Sequence, residues 1–405
     1  MIPRHSLPFG IKEILSVLIS RAPNTHISDI EKAYADNIGV RAAILLSSVR
    51  AGIRMSVQAV SGPGTVVAGP AYTCSTVHEA MALSSARTQL VDSAEDSFLM
   101  PPEGIYTSTE PGCVLVLSEV YGIPYDQEML QNASGKGPRL RVFDMAMSIP
   151  AQQRMQQLEA GDVALFSFGW GKPMYAGWGG LACFQDLELA GRVREIQARW
   201  TTRGSYGLGF QHGFSTLFRV VMNQRRLYGL SHQQHLYRLS KNITTAPNEQ
   251  DHPSAEETIS KARSHTLPPE WTQPMTALNR KLALHNLRHS LQNSDLRRSQ
   301  AEIYFKCLVE SGTVRAPGGK ALPQSHFPIR LPSNIRNAMC DYLRGRGIDT
   351  STLFPFAAGL NRARYPHAAK AADEVITLPL GPTITMGEVR MVSECVKDGL
   401  QALGC

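Results

Sequence analysis

The chain has 405 residues, of which 43% are hydrophobic and 19% charged, so it can bury a large core and is not a disordered protein. The formal net charge of +7 is mild. It suits a phosphorylated substrate or an ordinary surface, and it predicts no nucleic-acid partner. The seven cysteines are scattered without a CxxC pair, so neither a zinc site nor a disulfide framework is predicted.

The first forty residues are predicted to be helical and to carry no membrane signal. Ile27, Ile30 and Tyr34 recur at three- and four-residue steps among charged residues, which is the pattern of a half-exposed helix. The preceding segment has no apolar core followed by a small-residue cleavage site, and no apolar run reaches the roughly 20 residues of a membrane-spanning helix. Together with the scattered cysteines, this leads us to expect a cytoplasmic protein.

From residue 41 onward, short apolar runs alternate with helical stretches. The runs are AAILLSS, TVVAGPAY, TQLVD, CVLVLSEVYG, LRVFDMA and DVALFSFG. This order predicts an α/β fold with a mainly parallel sheet whose strands are joined by crossover helices. Ligands bind at the carboxyl ends of the strands in such sheets. The rule selects four places: Ser47 with Ser48, Tyr72 to Cys74, Asp144, and Ser167 to Lys172.

Residues 190–270 interrupt the alternation with a basic helical insertion. Nine basic residues and one acidic residue, Glu195, occur between residues 192 and 241. The simpler interpretation is a solvated helical insertion packed on the main domain. The alternative is a basic amphipathic surface that touches an anionic membrane or a phosphorylated ligand. The polar stretch at 242–270 is predicted to be a mobile loop or linker.

A smaller domain closes the chain. A helix resumes near residue 276, and FPIRL, the helix before GRGID, and VITLPL follow it. These segments predict a small αβ unit. We therefore divide the chain into a large domain at 1–275, which carries the insertion, and a small domain at 276–405.

Two residues suggest the chemistry. In DVALFSFGWGKPMYAGWGG, a buried strand leads into a glycine-rich turn that displays Lys172. A lysine there can be desolvated, and its amine then forms Schiff bases with aldehydes. Asp144 follows another buried strand, where a protonated pyridine nitrogen would relieve the cost of an unpaired carboxylate. Taken singly, the two could be a surface lysine and a helix N-cap; the ordered pair with its glycines favours pyridoxal phosphate (PLP).

Several motifs in order resemble the DegT/DnrJ/StrS family of sugar aminotransferases. GPAYTCSTVHEAM, TQLVD, VLSEVYGIPYD, VFDMAMSIPA and ALFSFGWGKPMYAGWGG have the family's order and spacing, and GRGIDTSTLFP with DEVITLPLGPTIT resembles its small-domain signature. The resemblance covers the chain except for about 190–270. It implies the type I fold of PLP enzymes, with a mainly parallel seven-stranded sheet.

The resemblance also assigns roles to single residues. Lys172 matches the lysine that anchors PLP as a Schiff base and moves a proton, and Asp144 matches the partner of the pyridine nitrogen. Ser167 matches a hydroxyl that binds the cofactor phosphate. Arg50 and Ala51 occupy the turn whose backbone amides hold that phosphate. A related dehydratase branch has His in place of the lysine, and Lys172 argues against it.

Four pocket positions depart from the family pattern. Arg50 stands where Thr is usual, Cys74 where an aromatic residue commonly covers the ring, and Met147 where Gln or a similar polar group is usual. An Asn that reaches the phosphate from the neighbouring subunit is replaced near Pro274. Two hypotheses follow: Arg50 pairs directly with the phosphate, and Tyr72 supplies a ring face.

The resemblance implies a reaction in two halves. Glutamate leaves its amino group on the cofactor, and the reverse steps aminate a keto sugar, expected to be nucleotide-linked, in the biosynthesis of polysaccharide or secondary-metabolite sugars. A homodimer with shared active sites is expected. Two alternatives stay open. One is a PLP enzyme of this fold with another reaction or a non-sugar substrate, and the other is a non-catalytic binding or regulatory protein.

Overall fold

The computed structural model describes residues 1–19, 26–84, 86–108, 112–126, 130, 138–202, 206–229, 269–316, 322–357 and 359–404. The predicted linker at 242–270 therefore lies almost entirely outside the described residues, as do Arg238 and Lys241 of the basic insertion. Among the helices in the described ranges, none is both long and apolar enough to cross a membrane.

In the described part of the chain, a seven-stranded sheet forms the centre of the fold. Its strands are β1 (Ala42–Leu46), β2 (Val66–Pro70), β3 (Arg87–Val91), β4 (Val114–Ser118), β5 (Leu140–Asp144), β6 (Asp162–Ser167) and β7 (Gly180–Phe184). The spatial order is β1-β7-β6-β5-β4-β2-β3. Only β7 runs antiparallel to its neighbours β1 and β6, and the other pairings of this sheet are parallel. The predicted α/β fold with a mainly parallel sheet is confirmed.

The strands read as continuous apolar runs because both faces of the sheet are covered. In β4, every residue is buried. Successive side chains of a strand point to opposite faces. Accordingly, Val114 and Val116 pack into one core, and Leu115 and Leu117 pack into the other.

Helices cover the two faces of the sheet. They are α1 (Ile11–Ile19), α2 (Ile27–Ile38), α3 (Val49–Val60), α4 (Ser75–Ala82), α5 (Pro102–Ser108), α6 (Gln152–Met155), α7 (Leu187–Trp200), α8 (Tyr206–Met222) and α9 (Pro269–Thr272). The helix predicted from Ile27, Ile30 and Tyr34 is α2, which buries Ile30, Tyr34 and Ile38 and leaves Ile27 exposed. Its half-exposed character follows from this single buried face.

The predicted insertion begins with a helix of the main layer. α7 buries Leu189, Val193 and Ile196 against α3 and the sheet. Its basic residues lie on the opposite, more exposed side, as with Arg192 and Arg199. The part of the insertion that the structure describes beyond this layer is therefore α8 with the helical residues 225–229.

The C-terminal part is built on a long helix and a two-stranded sheet. Its elements are α10 (Ala277–Tyr304), a π-helical turn (Phe305–Glu310), β8 (His326–Arg330), α11 (Ser333–Gly345), α12 (Pro366–Glu374), β9 (Val375–Pro379) and α13 (Met386–Ala402). β8 and β9 pair antiparallel. Within α10, Leu282 and Leu287 pack into the large core, whereas Ala301 and Tyr304 pack into the small one. The helix thus joins the two cores, and the domain boundary at 275/276 stays a prediction.

Candidate active site

A cleft of about 270 Å³ opens at the edge of the sheet where the parallel strands end. Its walls come from the segments that follow β1, β2, β4, β5 and β6 and from the turn that precedes β7. Because neighbouring strands share this edge, the order of strands gives the lateral order of the lining groups. From β1 to β2, these groups are Ser47 to Arg50, then Trp178 and Gly179, then Ser167 and Lys172, then Asp144, then Ser118 and Glu119, and finally Thr73 and Cys74.

The structure brings most of the predicted site residues into this cleft. Those that line it are Lys172, Asp144, Ser167, Arg50 and Cys74. Met147, which departs from the family pattern, also lines the cleft. The roles predicted for these residues remain proposals.

Ala51 and Tyr72 are predicted site residues that do not line the cleft. Ala51 lies in the first turn of α3, where its backbone N–H donates to Ser48 Oγ at 3.3 Å. Tyr72 is 2% exposed, and its hydroxyl shares a hydrogen bond of 2.6 Å with the hydroxyl of Tyr121. Its ring packs on Phe98 at 5.3 Å between centroids. The Tyr72 side chain is thus packed in the core. This geometry does not favour the hypothesis that the Tyr72 ring stacks on the cofactor.

Lys172 stands in a tight turn after β6. Its backbone N–H donates to the carbonyl of Gly169 at 3.3 Å, and its carbonyl accepts from the N–H of Tyr175 at 3.1 Å. Gly171 has a φ of +74°, and a Cβ there would lie 2.8 Å from the His5 ring. Only glycine fits this position without strain. The glycine next to the lysine therefore brings the turn against the N-terminal segment of the chain.

Three asparagines of α10 hold the segment that follows Lys172. Asn279 donates from Nδ2 to the carbonyl of Ala176 at 2.8 Å. Asn286 donates to the carbonyls of Met174 and Tyr175 at 3.0 and 2.6 Å, and Asn293 to that of Pro173 at 3.3 Å. All three are buried. The sequence interpretation missed them, although Asn at seven-residue spacing on one helix face was a visible signal.

Asp144 is buried at the end of β5 among neutral hydrogen-bond donors. Oδ2 accepts from Ser118 Oγ at 3.3 Å, and Oδ1 accepts from the N–H of Ala146 at 3.2 Å. Burial raises the pKa of the Asp144 carboxyl, and the nearby Lys172 charge acts in the opposite direction. No arginine or histidine of the described residues forms an ion pair with it. A cationic ring nitrogen would suit this carboxylate, so the residues fit PLP.

The start of α3 is a suitable place for an anion. Ser48 caps the helix, and the free backbone N–H groups of the first turn face the same end. Arg50 lines the cleft beside them, with Nη1 3.6 Å from Glu79 Oε2. Ser167 ends the strand β6 on the far side of β7. Amides, hydroxyls and a guanidinium are the donors that a phosphate requires.

A second buried carboxylate, Glu119, also lines the cleft and was missed from the sequence. Its Oε2 accepts from Ser148 Oγ at 3.0 Å, and its Oε1 accepts from Arg154. Burial raises the pKa of Glu119, whereas Arg154 acts to lower it. The signal was its place after β4, directly beyond Ser118, at the strand end that the ligand rule selects.

A buried carboxylate at the end of β5, a lysine in the turn after β6 and the start of α3 thus meet in one cleft. The sequence model of the DegT/DnrJ/EryC1/StrS aminotransferase family matches residues 13–212 and 256–397. The chain belongs to this family of aminotransferases, as the resemblance predicted. The gap between the two matched segments, residues 213–255, falls within the predicted insertion.

Solved structures of such enzymes share the fold along nearly the whole chain. The sugar aminotransferase CalS13 from Micromonospora echinospora has 19% identity and a TM-score of 0.69, and the match covers 98% of this chain and 100% of that one. DesV of S. venezuelae has 20% identity and a TM-score of 0.67, covering 96% and 93%. NtdA of Bacillus subtilis, solved with bound cofactor PMP, has 17% identity and a TM-score of 0.69, covering 96% and 82%. At these identities, the likeness shows the fold.

Proposed function

We propose that the protein is a PLP-dependent sugar aminotransferase whose Lys172 anchors the cofactor. The observation that carries this proposal is the meeting of Lys172 and Asp144 in one cleft. Asp144 has the properties of a partner for a ring cation, and the lysine comes from the neighbouring strand end. The family to which the chain belongs supports the same assignment.

Different lining residues would bind different parts of the cofactor. The first turn of α3, including the backbone of Arg50 and Ala51, would hold the phosphate together with Ser167 and the Arg50 guanidinium. Asp144 would hold the ring nitrogen in its protonated form, and Cys74, which lines the same cleft, would cover the ring. When bound, PLP supplies an aldehyde for amines and a ring that withdraws electrons from the carbon next to nitrogen.

Lys172 then has two roles. Its amine would hold the cofactor between turnovers and would be released when an amino donor binds. Once free, Nζ would carry a proton from the donor's amine-bearing carbon to the cofactor, and in the second half it would carry a proton from the cofactor to the acceptor's carbon. The asparagines of α10 fix the main chain beyond Lys172, which limits where Nζ can reach. Asp144 would stabilise the protonated ring nitrogen throughout.

The substrates are the more specific part of the proposal. Glutamate is the donor, and a nucleotide-linked keto sugar is the acceptor, for polysaccharide or secondary-metabolite biosynthesis. The family supports an aminotransferase reaction, and the similarity to CalS13, a sugar aminotransferase, supports a sugar as the acceptor. The active form is a cytoplasmic homodimer with shared active sites. If the protein contacts a membrane surface, the basic insertion is the part that makes this contact.

A second candidate keeps the fold and changes the reaction or the acceptor. Met147 and Cys74 both line the cleft, and they place a thioether and a thiol where the family usually has a polar and an aromatic group. These two changes in the lining of the cleft favour a substrate that differs from the usual substrates of the family.

The visible absorption spectrum tests the proposal. Purified protein with PLP should show the band of the lysine-bound cofactor, which glutamate should bleach. The Lys172→Ala variant should lack this band, and the same substitution outside the cleft, Lys281→Ala, should keep it. A band that ignores glutamate would favour the second candidate. No band in the presence of excess PLP would contradict the proposal as a whole.

A further inference from the structure

Trp178 contributes a buried polar atom to the wall of the cleft. The residue lines the cleft, and its indole Nε1 is buried without an acceptor. A buried N–H that donates to nothing costs free energy, and such groups are rare in folded proteins. At the wall of a ligand cleft, the simplest remedy is an acceptor on the ligand.

The position of Trp178 along the sheet indicates which part of a ligand lies nearest. Trp178 comes two residues before β7, whose first residue, Gly180, pairs with both Leu46 and Ser167. The indole therefore belongs to the end of the cleft between the start of α3 and the end of β6. Asp144 lies further along the sheet, beyond β6. The neighbours of Trp178 are thus the anion-binding groups rather than the carboxylate.

The backbone around Trp178 is fixed. Gly177 and Gly179 have φ values of +89° and +104°, which side chains other than glycine rarely tolerate. A Cβ on Gly177 would collide with Thr216 of α8, and one on Gly179 would come within 2.5 Å of Met275. The two glycines therefore let the turn pack closely and present a single aromatic side chain.

Helix α8, in the described part of the insertion, packs against the Trp178 indole. His212 of α8 packs on the Trp178 ring with 4.8 Å between centroids and an angle of 54°. Thr216, one turn further along α8, contacts the same turn at Gly177. The helix that the basic insertion contributes thus reaches the cleft through Trp178.

We propose that the Trp178 indole N–H donates to a phosphate oxygen of PLP, in an orientation set by His212. This inference rests on the proposed function, because it takes PLP as the ligand. It also gives the insertion a role in the site. His212 of α8 would orient the Trp178 N–H, which is a hydrogen-bond donor to the phosphate in addition to those of the α3 turn. The donor is neutral and directional, so it complements the charge of Arg50.

Binding of PLP and of pyridoxal, which has no phosphate, distinguishes this role from others. In Trp178→Phe apoprotein, PLP should bind about tenfold more weakly, while the affinity for pyridoxal should not change. Trp271→Phe is the matched control, since Trp271 also has a buried Nε1 without an acceptor but lies outside this cleft. An equal loss for both ligands, or an unchanged PLP affinity with a raised KM for the acceptor alone, would overturn the proposal.

A direct readout uses the wild-type protein. The chain has four tryptophans, so ¹⁵N-indole labelling gives four N–H signals. PLP should move the Trp178 signal downfield, and pyridoxal should not. If Trp178→Phe does not fold, the Phe variants of Trp170, Trp200 and Trp271 assign the signal by elimination. If PLP binds without moving the Trp178 signal, this inference alone is contradicted. If the apoprotein binds no PLP, the proposed function is contradicted.

Discussion

Asn286 donates two hydrogen bonds from one buried amide to the main-chain oxygens of Met174 and Tyr175, at 3.0 and 2.6 Å. Those residues follow Lys172 in the chain, whereas Asn286 lies more than a hundred residues later, on α10. Helix α10 thus sets the path of the loop that follows Lys172. With Asn279 and Asn293 at seven-residue spacing, it holds four consecutive residues, 173–176.

We expect Asn286→Ala to destabilise the protein and to misplace Lys172. Two buried carbonyl oxygens lose their donor, so the free energy of unfolding should fall by about 3 kcal/mol. Urea denaturation measures this loss, and the absorption band of bound PLP reports on Lys172. Gln292→Ala is the control, because Gln292 is an exposed amide on the same helix, and its loss should change stability by less than about 0.5 kcal/mol. Equal effects of the two variants would refute the positioning role.

The turn before Lys172 makes a second prediction. Gly171→Ala places a methyl group 2.8 Å from the His5 ring at a φ of +74°, and it should cost about 2–3 kcal/mol. Gly64→Ala has nearly the same φ, +78°, with nothing within 4 Å. It should cost only the backbone strain, about 1 kcal/mol.

Removing the ring should relieve part of the Gly171→Ala penalty. In a double-mutant cycle of Gly171→Ala with His5→Ala, we expect a favourable coupling of about 1 kcal/mol, measured by urea denaturation. The same cycle of Gly64→Ala with His5→Ala should show none. Coupling in both cycles, or in neither, would mean that the contact with His5 does not limit position 171.

The sequence was informative where chemistry follows from strand ends and uninformative where it follows from distant contacts. Asp144 and Lys172 could be paired in advance, because parallel strands deliver their carboxyl ends to one edge of a sheet. Runs such as VLVLS in β4 were recognisable as strands because burial on both faces requires uninterrupted apolar residues. These local rules predicted the α/β fold and the position of the cleft.

Other features depend on which distant segments meet. The burial of Tyr72 depends on Tyr121, which is 49 residues away, so the alternation of strands and helices gave no reason to remove it from the cleft. The role of Asn286 depends on a loop 111 residues away. The support of Trp178 depends on a helix in the insertion, whose position no local pattern specifies.

We expect the loss of the Asp144 carboxylate, at the end of β5, to slow catalysis strongly. Asp144→Asn removes the charge that keeps a ring nitrogen protonated, so the rate at which glutamate bleaches bound PLP should fall at least about 100-fold. Single-turnover absorption measurements give this rate. Ser118→Ala removes one neutral hydrogen bond to Asp144 and should slow the rate less than about tenfold. A rate in Asp144→Asn within tenfold of wild type would remove Asp144 from the proposed mechanism.

The buried histidine behind the lysine loop predicts a pH dependence of stability. His326 is 2% exposed, and its Nε2 lies 3.2 Å from His5 Nδ1. Burial lowers the pKa of His326 well below 6.5, and the neighbouring His5, Arg297, Lys172 and Arg4 act in the same direction. The folded protein therefore keeps His326 neutral at a pH where the unfolded chain takes up a proton. Stability from this group is present above pH 6.5 and is lost as the pH falls below it.

The free energy of unfolding should accordingly fall by about 1.4 kcal/mol for each pH unit below 6.5 on account of this one proton. His326→Gln removes the titrating group, so its unfolding curve should be shallower by that slope between pH 6.5 and the onset of acid denaturation. His26→Gln changes an exposed histidine at the start of α2 that makes no side-chain cap hydrogen bond, and as the control its curve should stay parallel to that of wild type. If His326→Gln also stays parallel, then His326 binds its proton equally in both states, and the imidazole pair behind Lys172 is open to solvent.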